Sequence, residues 1–162
     1  MMSIKLFSTG GTIAKRYDEL SGELLFDKEH IQKMLSQGRC TAKIEAVPLM
    51  IKDSLEMNEH DRDIIFKACK ETTKEKIIIT HGTDTMVESA KILSTIKDKT
   101  IVFTGAMIPY AFKNSDALFN ISAAITAVQI LPAGIYICMN GKVFSWENVT
   151  KNKKKGIFEK LS

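Results

Sequence analysis

Short β-branched apolar runs alternate along this chain with longer stretches of helical periodicity, and polar clusters directly follow four of those runs. Near the end, Asn140-Gly141 separates two further apolar runs. Together these observations predict an α/β fold, Rossmann-like or flavodoxin-like: a three-layer sandwich with a mainly parallel sheet and a C-terminal β-hairpin.

Strands are predicted at 4–8, 42–47, 76–80, 100–104 and 135–139, each too short for a helix and rich in β-branched residues. Between the first two, residues 9–27 hold three glycines and little periodicity, which predicts a long loop serving as a lid or locally disordered. A helix then starts at Asp27, whose carboxylate can cap it, and carries Ile31, Met34 and Leu35 on one face. The next begins at Asn58 and carries Ile64, Ile65 and Ala68; a third covers 84–96 and a fourth 115–130. Asn140-Gly141 supplies the positive backbone angles of a type I′ turn, so 142–146 folds back antiparallel to 135–139. Met107, Phe119, Trp146 and the remaining aromatics are assigned to the core.

The 162 residues, 44% hydrophobic and 26% charged, are expected to form one domain, 1–162, that needs no disulfide or metal. No apolar run approaches the roughly 18 residues of a membrane span. The N-terminus turns polar at once, so a cytoplasmic protein is expected. The net charge of +4 is local: 151–162 holds five lysines and one glutamate, leaving 18 basic and 18 acidic residues elsewhere. That tail lacks interleaved aromatics, which disfavours a nucleic-acid partner. Three dispersed cysteines and three dispersed histidines give no ligand spacing, so no metal and no cofactor are expected.

The polar clusters are Thr9-Gly10-Gly11-Thr12, Asp53-Ser54, Thr80-His81-Gly82-Thr83-Asp84 and Thr104-Gly105-Ala106. In a parallel sheet the carboxyl ends of the strands share one rim, so the fold carries all four to a common crevice. Their glycines fit neither G-x-G-x-x-G nor the phosphate-loop pattern, and no G-x-S-x-G elbow occurs. What the rim carries is hydroxyls, Thr12, Ser54 and Thr83, beside one carboxylate, Asp84. A hydroxyl nucleophile needs an activating partner, and Tyr17 and Lys151 are the candidates. Residue by residue the plainer roles compete. Thr12 can brace a glycine turn, Asp84 can cap the helix after it, His81 can hydrogen-bond within its turn, and Lys151 can belong to a solvated tail.

Thr9-Gly10-Gly11-Thr12-Ile13 and His81-Gly82-Thr83-Asp84-Thr85-Met86 resemble the two signatures of the bacterial-type asparaginase/glutaminase family. The resemblance continues through Thr104-Gly105-Ala106-Met107-Ile108-Pro109, Ser115-Asp116-Ala117-Leu118-Phe119-Asn120 and Val149-Thr150-Lys151. It covers nearly the whole chain and corresponds to that family's N-terminal domain. It implies an amidohydrolase acting on asparagine or a similar small amide, with Thr12 as nucleophile forming an acyl-enzyme and Tyr17 as its activator. It further implies that Thr83, Asp84 and Lys151 form a second catalytic group, and that Gly11, Ser54, Thr83, Asp84 and Ala106 meet the substrate. Leu55 and Glu56 depart from the family's pattern after the serine. The family's C-terminal domain, which supplies an acidic residue to a neighbouring subunit's site, is expected to be absent. The partners implied are the small-molecule substrate and further copies of the chain in a homodimer or higher homo-oligomer. Two alternatives stand beside this reading: an amino-acid-binding or interaction module that has lost turnover, and a subunit whose site a partner chain completes.

Overall fold

A computed structural model describes residues 2–162. In chain order the elements are β1 (Ile4–Gly10), β2 (Lys15–Asp18), β3 (Glu23–Phe26), α1 (His30–Gln37), β4 (Ile44–Lys52), α2 (Glu59–Glu71) and β5 (Lys76–Thr80). They continue with α3 (Met86–Ile92), β6 (Thr100–Thr104), α4 (Ala117–Ile130), β7 (Gly134–Met139), β8 (Lys142–Ser145), β9 (Thr150–Asn152) and β10 (Ile157–Glu159).

Six strands form one sheet in the order β4-β1-β5-β6-β7-β8. The first five run parallel, and β8 returns antiparallel to β7 after the Asn140-Gly141 turn. Because the central strands β5 and β6 are buried on both faces, they read as continuous apolar runs rather than alternating ones. In β5, Ile77 and Ile79 join a cluster with Ile65 and Cys69 of α2 and Met86 and Ala90 of α3. Ile78, between them, faces the opposite cluster with Ile31 and Met34 of α1 and Ile121, Ala124 and Val128 of α4. Two helices on each face therefore make the three layers predicted. The chain crosses from β1 to β4 on one side and from β4 back past β1 to β5 on the other, so the topological switch point lies between β1 and β5.

Several expectations are corrected. Residues 9–27 are not a structureless loop: a short turn at Thr12–Ala14 leads into an antiparallel hairpin of β2 and β3. Helix α1 starts three residues after Asp27, whose carboxylate instead accepts the Glu29 N–H in the preceding turn. Strand β4 extends to Lys52 through Pro48, a residue tolerated because β4 is an edge strand with one side free of ladder bonds. Phe119 is 63% exposed on α4, and Tyr17, Met107 and Phe112 are also exposed, so these side chains are not core. The lysine-rich tail contains a small hairpin, β9 with β10, pinned by the buried Phe158.

Candidate active site

The carboxyl ends of β1, β4, β5 and β6 bring the four polar clusters into contact, and glycines set the spacing. Gly11 has a backbone φ of +77°, and a Cβ there would fall 2.5 Å from the Gly82 nitrogen. Only glycine satisfies both the angle and the space, so the turn bearing Thr12 lies directly against the loop bearing Thr83. Gly82 in turn faces Ser54, where a Cβ would sit 2.6 Å from the serine oxygen, and one at Gly105 would strike the His81 carbonyl at 2.4 Å. Backbone bonds close the ring: Gly11 N–H to Lys52 O and His81 N–H to Thr104 O, both 2.9 Å. Four loops distant in sequence are thus packed backbone to backbone.

Within that ring the structure joins Thr83, Asp84 and Lys151. Lys151 leaves β9, and its Nζ donates to Thr83 Oγ1 and to Asp84 Oδ1, each at 2.8 Å. The Lys151 side chain is only 12% exposed, against 32% for Asp84. The lysine is therefore a mostly buried, paired cation rather than part of a solvated tail. Thr83 Oγ1 accepts from this lysine and directs its own proton toward the Met107 sulfur at 3.6 Å, a weak acceptor. That proton is easily redirected to a better acceptor. Asp84 does not cap α3: the residue preceding the helix is Thr85, and Asp84's carboxylate belongs to Lys151.

The other candidates are distributed around this centre. Thr12 opens the short turn after Gly11 and is partly exposed. Tyr17 stands on β2, 55% exposed, paired in register with Leu24. Ser54 is buried, its Oγ accepting the Thr85 N–H at 3.3 Å while its carbonyl accepts the Thr85 hydroxyl at 2.9 Å. It therefore ties two rim loops together. Leu55, next to it, is 68% exposed. Ala106 is buried, held between Gly105, whose carbonyl accepts from Asn120 Nδ2, and Met107.

Three supports did not emerge from the sequence reading as such. The first is Asp116, whose carboxylate accepts the N–H groups of Met107 and Ile108, with Asn120 bridging Asp116 to Gly105. These two residues, one helical turn apart, set the 105–108 loop on the start of α4. The 115–120 motif was the signal for them. The second is a buried chain beneath the Thr83 loop. His81 Nδ1–H donates to the Gly82 carbonyl at 2.7 Å, because a carbonyl can only accept, which leaves Nε2 to accept from Ser89 Oγ at 2.8 Å. Ser89 Oγ accepts from Arg62 Nε at 3.1 Å. Burial pushes His81 down to about 4, so it is neutral at physiological pH and serves as a brace. The third is an ion pair from Lys15 Nζ to Asp53 Oδ2, 2.9 Å, between the start of β2 and the residue before Ser54.

Residues 3–158 match the family model described as "Asparaginase, N-terminal". The chain is 32% identical to the L-asparaginase of Thermococcus kodakarensis over 96% of its own length and 49% of that protein's. It is also 32% identical to a glutamyl-tRNA(Gln) amidotransferase subunit from Archaeoglobus fulgidus, over 85% of this chain and 34% of that one. The solved structure of the thermostable T. kodakarensis L-asparaginase superimposes with a TM-score of 0.88 at 30% identity, covering 99% of this chain and 51% of that one. The chain thus spans about half the length, or less, of the curated relatives it matches.

Proposed function

The chain belongs to the asparaginase family through that family's N-terminal domain, and from this we propose that it hydrolyses the side-chain amide of asparagine or a related small amide to the acid and ammonia. The observation that carries the proposal is the Lys151–Thr83–Asp84 cluster, packed at the sheet's switch point against the turn that presents Thr12. In this reading Thr12 Oγ attacks the amide carbon, and Tyr17, carried on the β2–β3 hairpin, relays the proton: its phenolic oxygen accepts the threonine proton as its own O–H proton passes to the amide nitrogen. The carbon–nitrogen bond breaks, ammonia leaves with the transferred proton, and water then cleaves the acyl-threonine ester. Lys151 and Thr83 polarise the reacting centre or the incoming water. Asp84 meets a substrate ammonium, with Gly11, Ser54 and Ala106 lining the bound molecule and backbone N–H groups facing the amide oxygen.

A cytoplasmic setting and assembly into a homodimer or higher homo-oligomer belong to the same proposal. The three free cysteines, two of them buried, suit a reducing compartment. Phe119 and Ile130, 63% and 78% exposed on α4, give an apolar face suited to a second copy. Light scattering during gel filtration tests the assembly.

A second reading has its own support: a relative named as an amidotransferase subunit, at 32% identity, favours a subunit completed by a partner chain. One set of measurements separates the readings. Ammonia release by purified protein from asparagine, glutamine or small peptidyl amides is expected. Calorimetric uptake of asparagine without ammonia would replace the enzyme with a binding module, and activity only with a stoichiometric co-purifying chain would favour the partner-completed form.

A further inference from the structure

The β2–β3 hairpin projects from the rim and packs on the core only at its base, through Phe26: Leu20 is 92% exposed at its tip, and Tyr17 and Leu24 are about half exposed. Backbone bonds join only its base to the body, from Asp27 N–H to the Ala14 carbonyl and, just before it, from Tyr110 N–H to the Ile13 carbonyl. Among the described residues, the one side-chain hydrogen bond linking 15–26 to the rest of the chain is Lys15 Nζ to Asp53 Oδ2, at 2.9 Å. The two partners lie on different rim segments. Lys15 stands three residues after Thr12, and Asp53 immediately precedes Ser54. The pair is partly shielded, with side chains 21% and 37% exposed, and the Lys15 ammonium also lies over the Phe26 ring at 5.7 Å from its centroid. Asp53 has a further fixed partner in the Leu55 N–H at 3.4 Å, so its carboxylate is oriented on the Ser54 side before the lysine reaches it.

We propose that Lys15 and Asp53 are positioning residues, forming a charge latch that sets the angle of the β2–β3 hairpin over the site and so the approach of Tyr17 to Thr12. The role of Tyr17 in this statement rests on the function proposed above; the latch itself does not. A pair of this exposure contributes little to global stability. Its leverage is local, because beyond Phe26 at its base the ribbon has no packing to hold its direction. Lys15–Asp53 also cancels a negative charge beside Ser54, where an incoming substrate carboxylate would otherwise meet Asp53.

The test combines hydrogen exchange of residues 16–25 with steady-state ammonia release on Lys15→Gln, Asp53→Asn and the exchanged pair Lys15→Asp/Asp53→Lys. Lys15→Gln leaves the Asp53–Leu55 bond in place, so the two single variants are independent probes. Each single variant should exchange about fivefold faster in the hairpin, with unchanged exchange in β5 and β6. Each should also lower kcat/KM about fivefold or more, and the exchanged pair should recover most of both losses. At high salt wild type should move toward the single variants, which should hardly respond. Lys67→Gln, which breaks an exposed ion pair with Asp63 on α2, serves as the control and should change nothing. Unchanged hairpin exchange in both single variants, or an exchanged pair no better than either, would overturn the latch. Faster exchange with unaltered kcat/KM would overturn its positioning role. If wild type releases no ammonia, the proposed function fails, and the exchange data alone decide the latch.

Discussion

The two halves of the site are held by different means. On the β5–β6 side, Thr83, Asp84 and Lys151 rest on the buried His81–Ser89–Arg62 chain and beside the Asp116–Asn120 brace, with glycines allowing backbone to touch backbone. On the hairpin side, Tyr17 sits on a two-stranded ribbon fastened at its base and by one partly exposed ion pair. Thr83, Asp84 and Lys151 stand on over-determined backbone, while the hairpin is given few bonds. Low local stability belongs to elements that must move for substrate to enter.

This contrast can be broken at graded strengths. The largest expected effect is chemical: Lys151→Met removes the donor shared by Thr83 and Asp84, and should lower kcat for ammonia release by about a hundred- to ten-thousandfold while leaving the far-ultraviolet circular dichroism unchanged. A smaller loss would assign the lysine to the fold alone. Next is a glycine of the rim. Gly11→Ala forces a side chain into the Gly82 backbone at an unfavourable φ and should cost about 3 kcal/mol in urea unfolding.

The third probe is pH. His81 is held at about 4 by burial, whereas an unfolded histidine titrates at its ordinary 6.5. Between those values the unfolded chain binds a proton that the folded one refuses, so stability should rise with pH across that window and fall on acidification. His81 should account for about 3 kcal/mol of that change. Thermal unfolding from pH 7 to pH 4 should show a flatter profile in His81→Asn, and parallel profiles would exclude His81 as a neutral brace. The smallest effect is at the hairpin tip, where Gly22→Ala meets no neighbour within 4 Å and pays only for a φ of +71°, about 1 kcal/mol. Equal costs for Gly11→Ala and Gly22→Ala would erase the distinction between the halves.

The same contrast governs what the sequence made legible. The central parallel strands were readable because burial on both faces forces uninterrupted apolar runs, as in Ile77-Ile78-Ile79. Helix α2 was readable from Asn58, whose side chain accepts the Asp61 N–H in a full capping box. The β2–β3 hairpin was not, because Lys15-Arg16-Tyr17-Asp18 has no buried face and therefore no alternation to detect. The lysine tail concealed β9 for a similar reason: three polar residues become a strand only by pairing with β10, whose Phe158 is buried. Asp84 was read both as a helix cap and as a site residue, and only the fold, by bringing Lys151 across 67 residues of sequence, showed which partner its carboxylate takes. The His81 support escaped notice because its partners, Ser89 and Arg62, lie on two different helices and share no motif with it.

The role of Thr12 as the nucleophile of an amidase is tested most directly by measuring ammonia release from asparagine with wild type and Thr12→Ala side by side, both checked for identical unfolding curves. The expected result is release by the wild type and none above background by the variant. Release by Thr12→Ala at the wild-type rate would contradict it.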